Sequence, residues 1–169
     1  PSTVAADPTD DQGDDMKGTM QDRPLALPVL FERAEQLFGH KGIVTATATG
    51  ERRRRRYAEW ARRTRPPGGA LDVLGISPEG RVATFCWNTA EHLELYFAAP
   101  CTGRVLHTLN IRLFPDQLTY IVNHAEDEVV FVDRSLLGLL APLLGTFETV
   151  RHLVVIDDGA PTPLPDPAE

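Results

Sequence analysis

The residues of this chain with the widest chemical range are spaced in ways that exclude several reactions. A Walker loop needs Gly-Lys followed by Ser or Thr, whereas Lys17 and Lys41 follow Met16 and His40, and no Gly-x-Gly-x-x-Gly is present. None of Ser2, Ser77 and Ser135 sits between the glycines of a nucleophile elbow. His40, His92, His107, His124 and His152 form no i, i+4 pair and no cluster with Cys86 and Cys101, so no zinc site or other metal site is read from them. The cysteines lie in apolar segments outside any Cys-x-x-Cys motif and predict reduced core thiols of a cytoplasmic protein. No self-contained catalytic set is encoded.

Two polar features remain. Arg52, Arg53, Arg54, Arg55 and Arg56 form an unbroken basic run, which reads as a solvated edge strand protected by its charge, or else as a contact for an anionic surface. His124-Ala125-Glu126-Asp127 has acid–base residue types but reads as a polar turn that ends a helix before a strand starting at Glu128. Asn88 reads as a helix cap, and Trp60 and Trp87 as core or interface aromatics.

The elements that must position these residues follow from periodicity. Leu27, Leu30, Phe31, Ala34, Leu37 and Phe38 recur at helical spacing, with Pro28 in the first turn and Gly39 past the end. Residues 43–49 and 52–56 predict a hairpin around Gly50. A second helix starts at Tyr57 and is expected to break at Pro66-Pro67-Gly68-Gly69, where two prolines cost about 3 kcal/mol or more each. Strands are expected at 81–86, 105–109, 128–132 and 152–156. Between them lie helices from Asn88 or Thr89 to Gly103, with Ala90, Leu93, Phe97 and Cys101 as the buried stripe, from Pro115 to Ala125, and over 135–144. The order β-α-β-α-β-α-β with helix-length connections calls for a mostly parallel sheet following the N-terminal β-hairpin.

Composition agrees with an α/β domain: of 169 residues, 42% are hydrophobic and 24% charged. The net charge of −7 argues against a nucleic-acid partner. No stretch approaches the roughly 20 apolar residues of a membrane span. Residues 1–15 are acidic and read as a disordered leader, 16–156 as the folded part, and 157–169 as a Pro-rich acidic tail of linker composition.

Three stretches are more specific than this. Arg-Val-Ala-Thr-Phe-Cys-Trp-Asn-Thr-Ala-Glu-His-Leu-Glu-Leu-Tyr-Phe-Ala-Ala-Pro-Cys from Arg81, Val-Leu-His-Thr-Leu-Asn-Ile-Arg-Leu-Phe-Pro from Val105, and Tyr-Ile-Val-Asn-His-Ala-Glu-Asp-Glu-Val-Val-Phe-Val-Asp from Tyr120 closely resemble the N-terminal region of long- and medium-chain fatty-acid–CoA ligases. These enzymes belong to the AMP-forming adenylating superfamily. The resemblance runs from about Met16 to Gly159, and it departs from the family pattern at Arg56, at Pro66-Pro67-Gly68-Gly69 and at Glu79-Gly80.

The resemblance implies part of the large N-terminal domain of the AMP-forming ligase fold. It implies a full-length enzyme that uses ATP and Mg2+ to make an acyl-adenylate and then transfers the acyl group to CoA, with fatty acid and CoA as its partners. A homodimer and peripheral contact with a membrane are left open for that enzyme. The nucleotide loop and the C-terminal lid are not in this sequence, so the fragment is expected to bind no cofactor and to be inactive alone. His107, Asn110 and Arg112 match a family segment leading just beyond the C-terminal end of a strand, where open sheets place ligands, and are candidates for an acyl or CoA channel. The rival readings are a binding module docking on anionic lipid or a partner through Arg52 to Arg56, and a non-functional truncated product.

Overall fold

The structure, a computed structural model, describes residues 23–47 and 50–164. The acidic leader lies outside the described residues. The elements are α1 (Leu27–Phe38), β1 (Gly42–Ala46), β2 (Arg52–Arg56), α2 (Tyr57–Val73), β3 (Arg81–Phe85), α3 (Ala90–Cys101), β4 (Val105–Thr108), α4 (Pro115–Ala125), β5 (Asp127–Asp133), α5 (Leu137–Leu140) and β6 (His152–Ile156). β1 and β2 form an antiparallel hairpin, and the other strands form a parallel sheet in the order β4-β3-β5-β6.

The expected chain order therefore gives a sheet wound in both directions from its centre. From β3 the chain moves outward through α3 to β4, returns across β3 through α4 to β5, then continues to β6. A constant crossover hand puts successive connections on opposite faces when the direction reverses. The core divides accordingly. Ala83, Phe85, Val130 and Val132 pack with Leu118 and Val122 of α4 and with Leu137 and Leu140 of α5. Val82, Val129 and Phe131 pack on the other face with Leu71 of α2 and with Leu95 and Ala99 of α3. The two-residue alternation of a strand produces this sorting.

α2 corrects the expected break, because it runs without interruption through Pro66 and Pro67. The donors those prolines lack would have met the carbonyls of Arg62 and Arg63, both exposed residues, where water can replace them. On the opposite side Trp60, Ala61, Thr64, Gly68 and Leu71 form a buried stripe against the core. Packing of that stripe outweighs local propensity.

α3 also differs from expectation. Its deepest residues are Ala90, His92, Glu94, Leu95, Ala98 and Ala99, because the helix is covered on two sides. Leu93, Phe97 and Cys101 are only partly buried and pack on an aromatic cluster, in which Phe31, Trp60 and Phe97 meet at centroid distances of 5.1 Å for the first pair and 4.9 Å for the second. Gly103, with φ of +79°, lets the chain turn out of α3 into β4 as expected. The stretch 135–144 is helical only in part: α5 is a single turn flanked by 3-10 turns over Arg134–Leu136 and Ala141–Thr146, the second containing Pro142.

Candidate functional site

The winding direction reverses between β3 and β5, and open sheets bind ligands beyond the carboxyl ends of such strands. Here β3 leads into Cys86-Trp87-Asn88-Thr89, β5 ends at Asp133 and continues to Ser135, and β6 leads into Asp157 and Asp158. Asp133 Oδ2 accepts a hydrogen bond from the Trp87 backbone N–H at 2.7 Å. Trp87 Nε1 donates to Ser135 Oγ at 2.9 Å, and the Ser135 backbone N–H donates to Asp158 Oδ2 at 3.3 Å. Thr89, the expected alternative to Asn88, caps α3 by accepting from His92 N at 3.1 Å.

These bonds hold the Trp87 ring, 47% exposed, beside a cleft of about 380 Å³. Thr45, Thr47 and Arg53 of the hairpin line one side, and Trp87, Ser135 and Asp158 the other. Trp60 is a core residue, whereas Trp87 is a held surface aromatic. His92 ties the Trp87 backbone to β3: its Nδ1 lies 3.0 Å from the Trp87 carbonyl, which can only accept, so Nδ1 carries the proton and Nε2 accepts from the Thr84 hydroxyl at 2.9 Å. Burial lowers the His92 pKa and keeps it neutral.

The two carboxylates at this end of the sheet differ. Asp133 is fully buried, and burial pushes its pKa up to about 6 despite the Trp87 hydrogen bond, with Asp158 and Glu91 adding repulsion. Its Oδ1 is buried without a hydrogen-bond partner among the described residues. Asp158 is held below its usual range because bonds from Ser135 and Ala160 overcome its burial. The folded chain binds the Asp133 proton more tightly than the unfolded chain, so that stability is fully present below the ordinary carboxylate value and is lost as pH rises through about 6. Asp133→Asn is therefore expected to stabilise the chain at pH 8 by about 1–2 kcal/mol and to change little at pH 4. Thermal melts at both values check it, and equal effects at the two would contradict it.

The other candidates are not brought together. His107 lies inside β4, and its Nδ1 is 2.8 Å from Asp127 Oδ2 and 3.0 Å from Oδ1. The hydrogen bond and charge of this carboxylate raise the His107 pKa. Asp127 is itself raised, because burial outweighs the imidazole. Both shifts retain the shared proton, and the buried carboxylate is the common cause. Asn110 Oδ1 accepts from the Arg112 backbone N–H at 3.0 Å and so shapes the exposed loop after β4.

The arginine run is sorted by strand alternation. Arg53 and Arg55 face α3, where Arg55 meets Glu91 at 2.8 Å and Glu94 at 3.5 Å, and Arg53 meets Glu91 at 3.6 Å. Arg63 of α2 adds a bond to Glu94 at 2.7 Å. Arg52, Arg54 and Arg56 occupy the other face and are exposed. Sequence reasoning missed Asp127, Asp133 and Glu94 as buried acids. The available signal was that Asp127 and Asp133 bracket the apolar run of β5.

The sheet and its switch-point cleft define a doubly wound domain of the kind that opens AMP-forming ligases. The AMP-binding enzyme family matches residues 31–168, and the chain belongs to that family. It is 48% identical over 143 residues to the long-chain-fatty-acid–CoA ligase of Thermus thermophilus, covering 85% of this chain and 26% of the relative. It is 38% identical over 141 residues to the medium-chain-fatty-acid–CoA ligase of Ectopseudomonas oleovorans, covering 83% and 26%. The chain thus spans about a quarter of the length of these relatives.

Solved structures show the same fold. The anthranilate CoA ligase AuaEII in complex with anthranoyl-AMP superposes with a TM-score of 0.69 at 24% identity, covering 80% of this chain and 26% of that one. The inhibitor-bound N-terminal domain of FACL13 from Mycobacterium tuberculosis gives 0.67 at 19% identity, covering 79% and 34%. Among the described residues no group of three or more His, Cys, Asp or Glu is placed to hold a metal, and no helix is long and apolar enough to cross a membrane.

Proposed function

We propose that this chain is the N-terminal part of an ATP-dependent fatty-acid–CoA ligase and that it cannot form an acyl-adenylate alone. The family match over residues 31–168, joined to a coverage of only a quarter of the relatives, carries this reading. The residues present do not fit the binding of ATP and magnesium by themselves, since they include no Walker loop and, among the described residues, no metal-ligating cluster. No chemical step is therefore assigned to them. Their part is to build the sheet beside which the chemistry occurs. The loop after β4 presents Arg112 from a backbone fixed by Asn110, with His107 anchoring the strand beneath through Asp127, and this loop is assigned to the edge of the acyl or CoA path.

The purified chain is expected to give no fatty-acid-dependent exchange of pyrophosphate into ATP. A chimera in which residues 16–156 replace the matching quarter of the Thermus thermophilus ligase is expected to make acyl-CoA, with a raised KM for CoA on Arg112→Ala. Exchange by the 169-residue chain itself would refute the proposal.

A further inference from the structure

The hairpin carries a feature that the ligase reading does not use. In the β1–β2 register Gly42 lies opposite Arg56, Val44 opposite Arg54 and Ala46 opposite Arg52. Every cross-strand neighbour of these arginines is uncharged. The alternate arginines, Arg53 and Arg55, are paired with Glu91 and Glu94, whereas none of the ion pairs among the described residues includes Arg52, Arg54 or Arg56. One face of the hairpin is thus electrically satisfied against α3. The other presents three arginines whose Cα atoms are spaced about 7 Å apart along a strand, with Val44 half-exposed across from Arg54.

We propose that this outer face of the hairpin docks on the anionic headgroups of a lipid bilayer. A strand face carrying arginines at every second position matches the many phosphates of a headgroup plane rather than one small anion. Nucleic acid fits less well. It is a long polyanion that would meet the rest of a chain with net charge −7, whereas a short contact with a plane confines the interaction to the arginine face within a Debye length. Arginine also forks two donors onto phosphate, and Val44 adds an apolar contact at the centre of the patch.

The test is co-sedimentation of the 169-residue chain with vesicles at low salt. Binding is expected to phosphatidylcholine vesicles containing about one third phosphatidylglycerol, and not to phosphatidylcholine alone. Replacing Arg52, Arg54 and Arg56 together by glutamine is expected to lower the partition coefficient roughly a hundredfold, and Arg54→Gln alone about fivefold. The triple lysine variant keeps most of the binding because the attraction is chiefly one of charge. Melting curves of the glutamine variant should match those of the unaltered chain, since exposed side chains without ion pairs are removed. If it unfolds, the single Arg54→Gln and the lysine variant carry the comparison. Equal binding to neutral vesicles, undiminished binding by the glutamine variants, or tighter binding to single-stranded RNA than to the anionic vesicles would each overturn the proposal.

Discussion

Glu94→Ala is expected to destabilise the chain by about 2–3 kcal/mol, seen as a fall of roughly 5–10 °C in Tm. Glu94 is 5% exposed, and its carboxylate is shared between Arg63 of α2 and Arg55 of β2. Burial raises its pKa in spite of both guanidiniums, so desolvation is the larger influence on this group. Removing the acid still costs stability, because Arg55, with only 14% of its side chain exposed, loses one of its three carboxylate partners. The loss lies below the full cost of breaking a buried pair for two reasons: Glu91 still holds Arg55 at 2.8 Å, and Arg63 is 46% exposed and can turn to water. A double-mutant cycle with Arg63→Ala isolates the pair. A loss under about 0.5 kcal/mol would mean that solvent screens the network and that the hairpin is held by other contacts.

This network marks the limit of what could be read without coordinates. The alternation of β3, β5 and β6 with helical segments was legible because each strand is an apolar run bounded by polar turns, and parallel pairing follows from connections of helix length. The arginine run was legible as a strand but not as two faces with different fates. Strand alternation sorts the five side chains, yet only the placement of α3 determines which face meets Glu91 and Glu94. Asp127 was hidden in the same way. It follows a helix-ending turn and looks polar in sequence, but Glu126 at φ of +55° makes the turn and Asp127 is already the first residue of β5, buried against His107. The expected stripe of α3 went astray because a helix covered on two sides has no single buried face. At the candidate site the strand ends were foreseen, whereas the cleft needs the hairpin folded over Trp87, a contact between segments some 40 residues apart.

Gly68 and Gly69 separate the continuous α2 from the broken helix that its sequence suggests. A Cβ built on Gly68 would stand 2.8 Å from Thr102 Cγ2 and 3.6 Å from the Ala98 carbonyl oxygen. The Thr102 methyl cannot swing away freely, because its hydroxyl donates to the carbonyls of Ala98 at 2.9 Å and Ala99 at 3.0 Å. Gly68→Leu must therefore push α2 from α3, and the net loss is expected to be about 2–3 kcal/mol even after the roughly 1 kcal/mol that a better helix former returns. Nothing lies within 4 Å of a Cβ on Gly69, which faces solvent on the same helix. Gly69→Ala then carries the propensity gain alone and is expected to stabilise by up to about 1 kcal/mol. Denaturant melts of the two variants check the pair. In a helix broken at Pro66 and Pro67 neither substitution would change the unfolding free energy by more than a few tenths of a kcal/mol, because residue 68 would have no packed neighbour and residue 69 no helical conformation to favour. Opposite signs at adjacent glycines are the signature of one helix with a packed face and a free one.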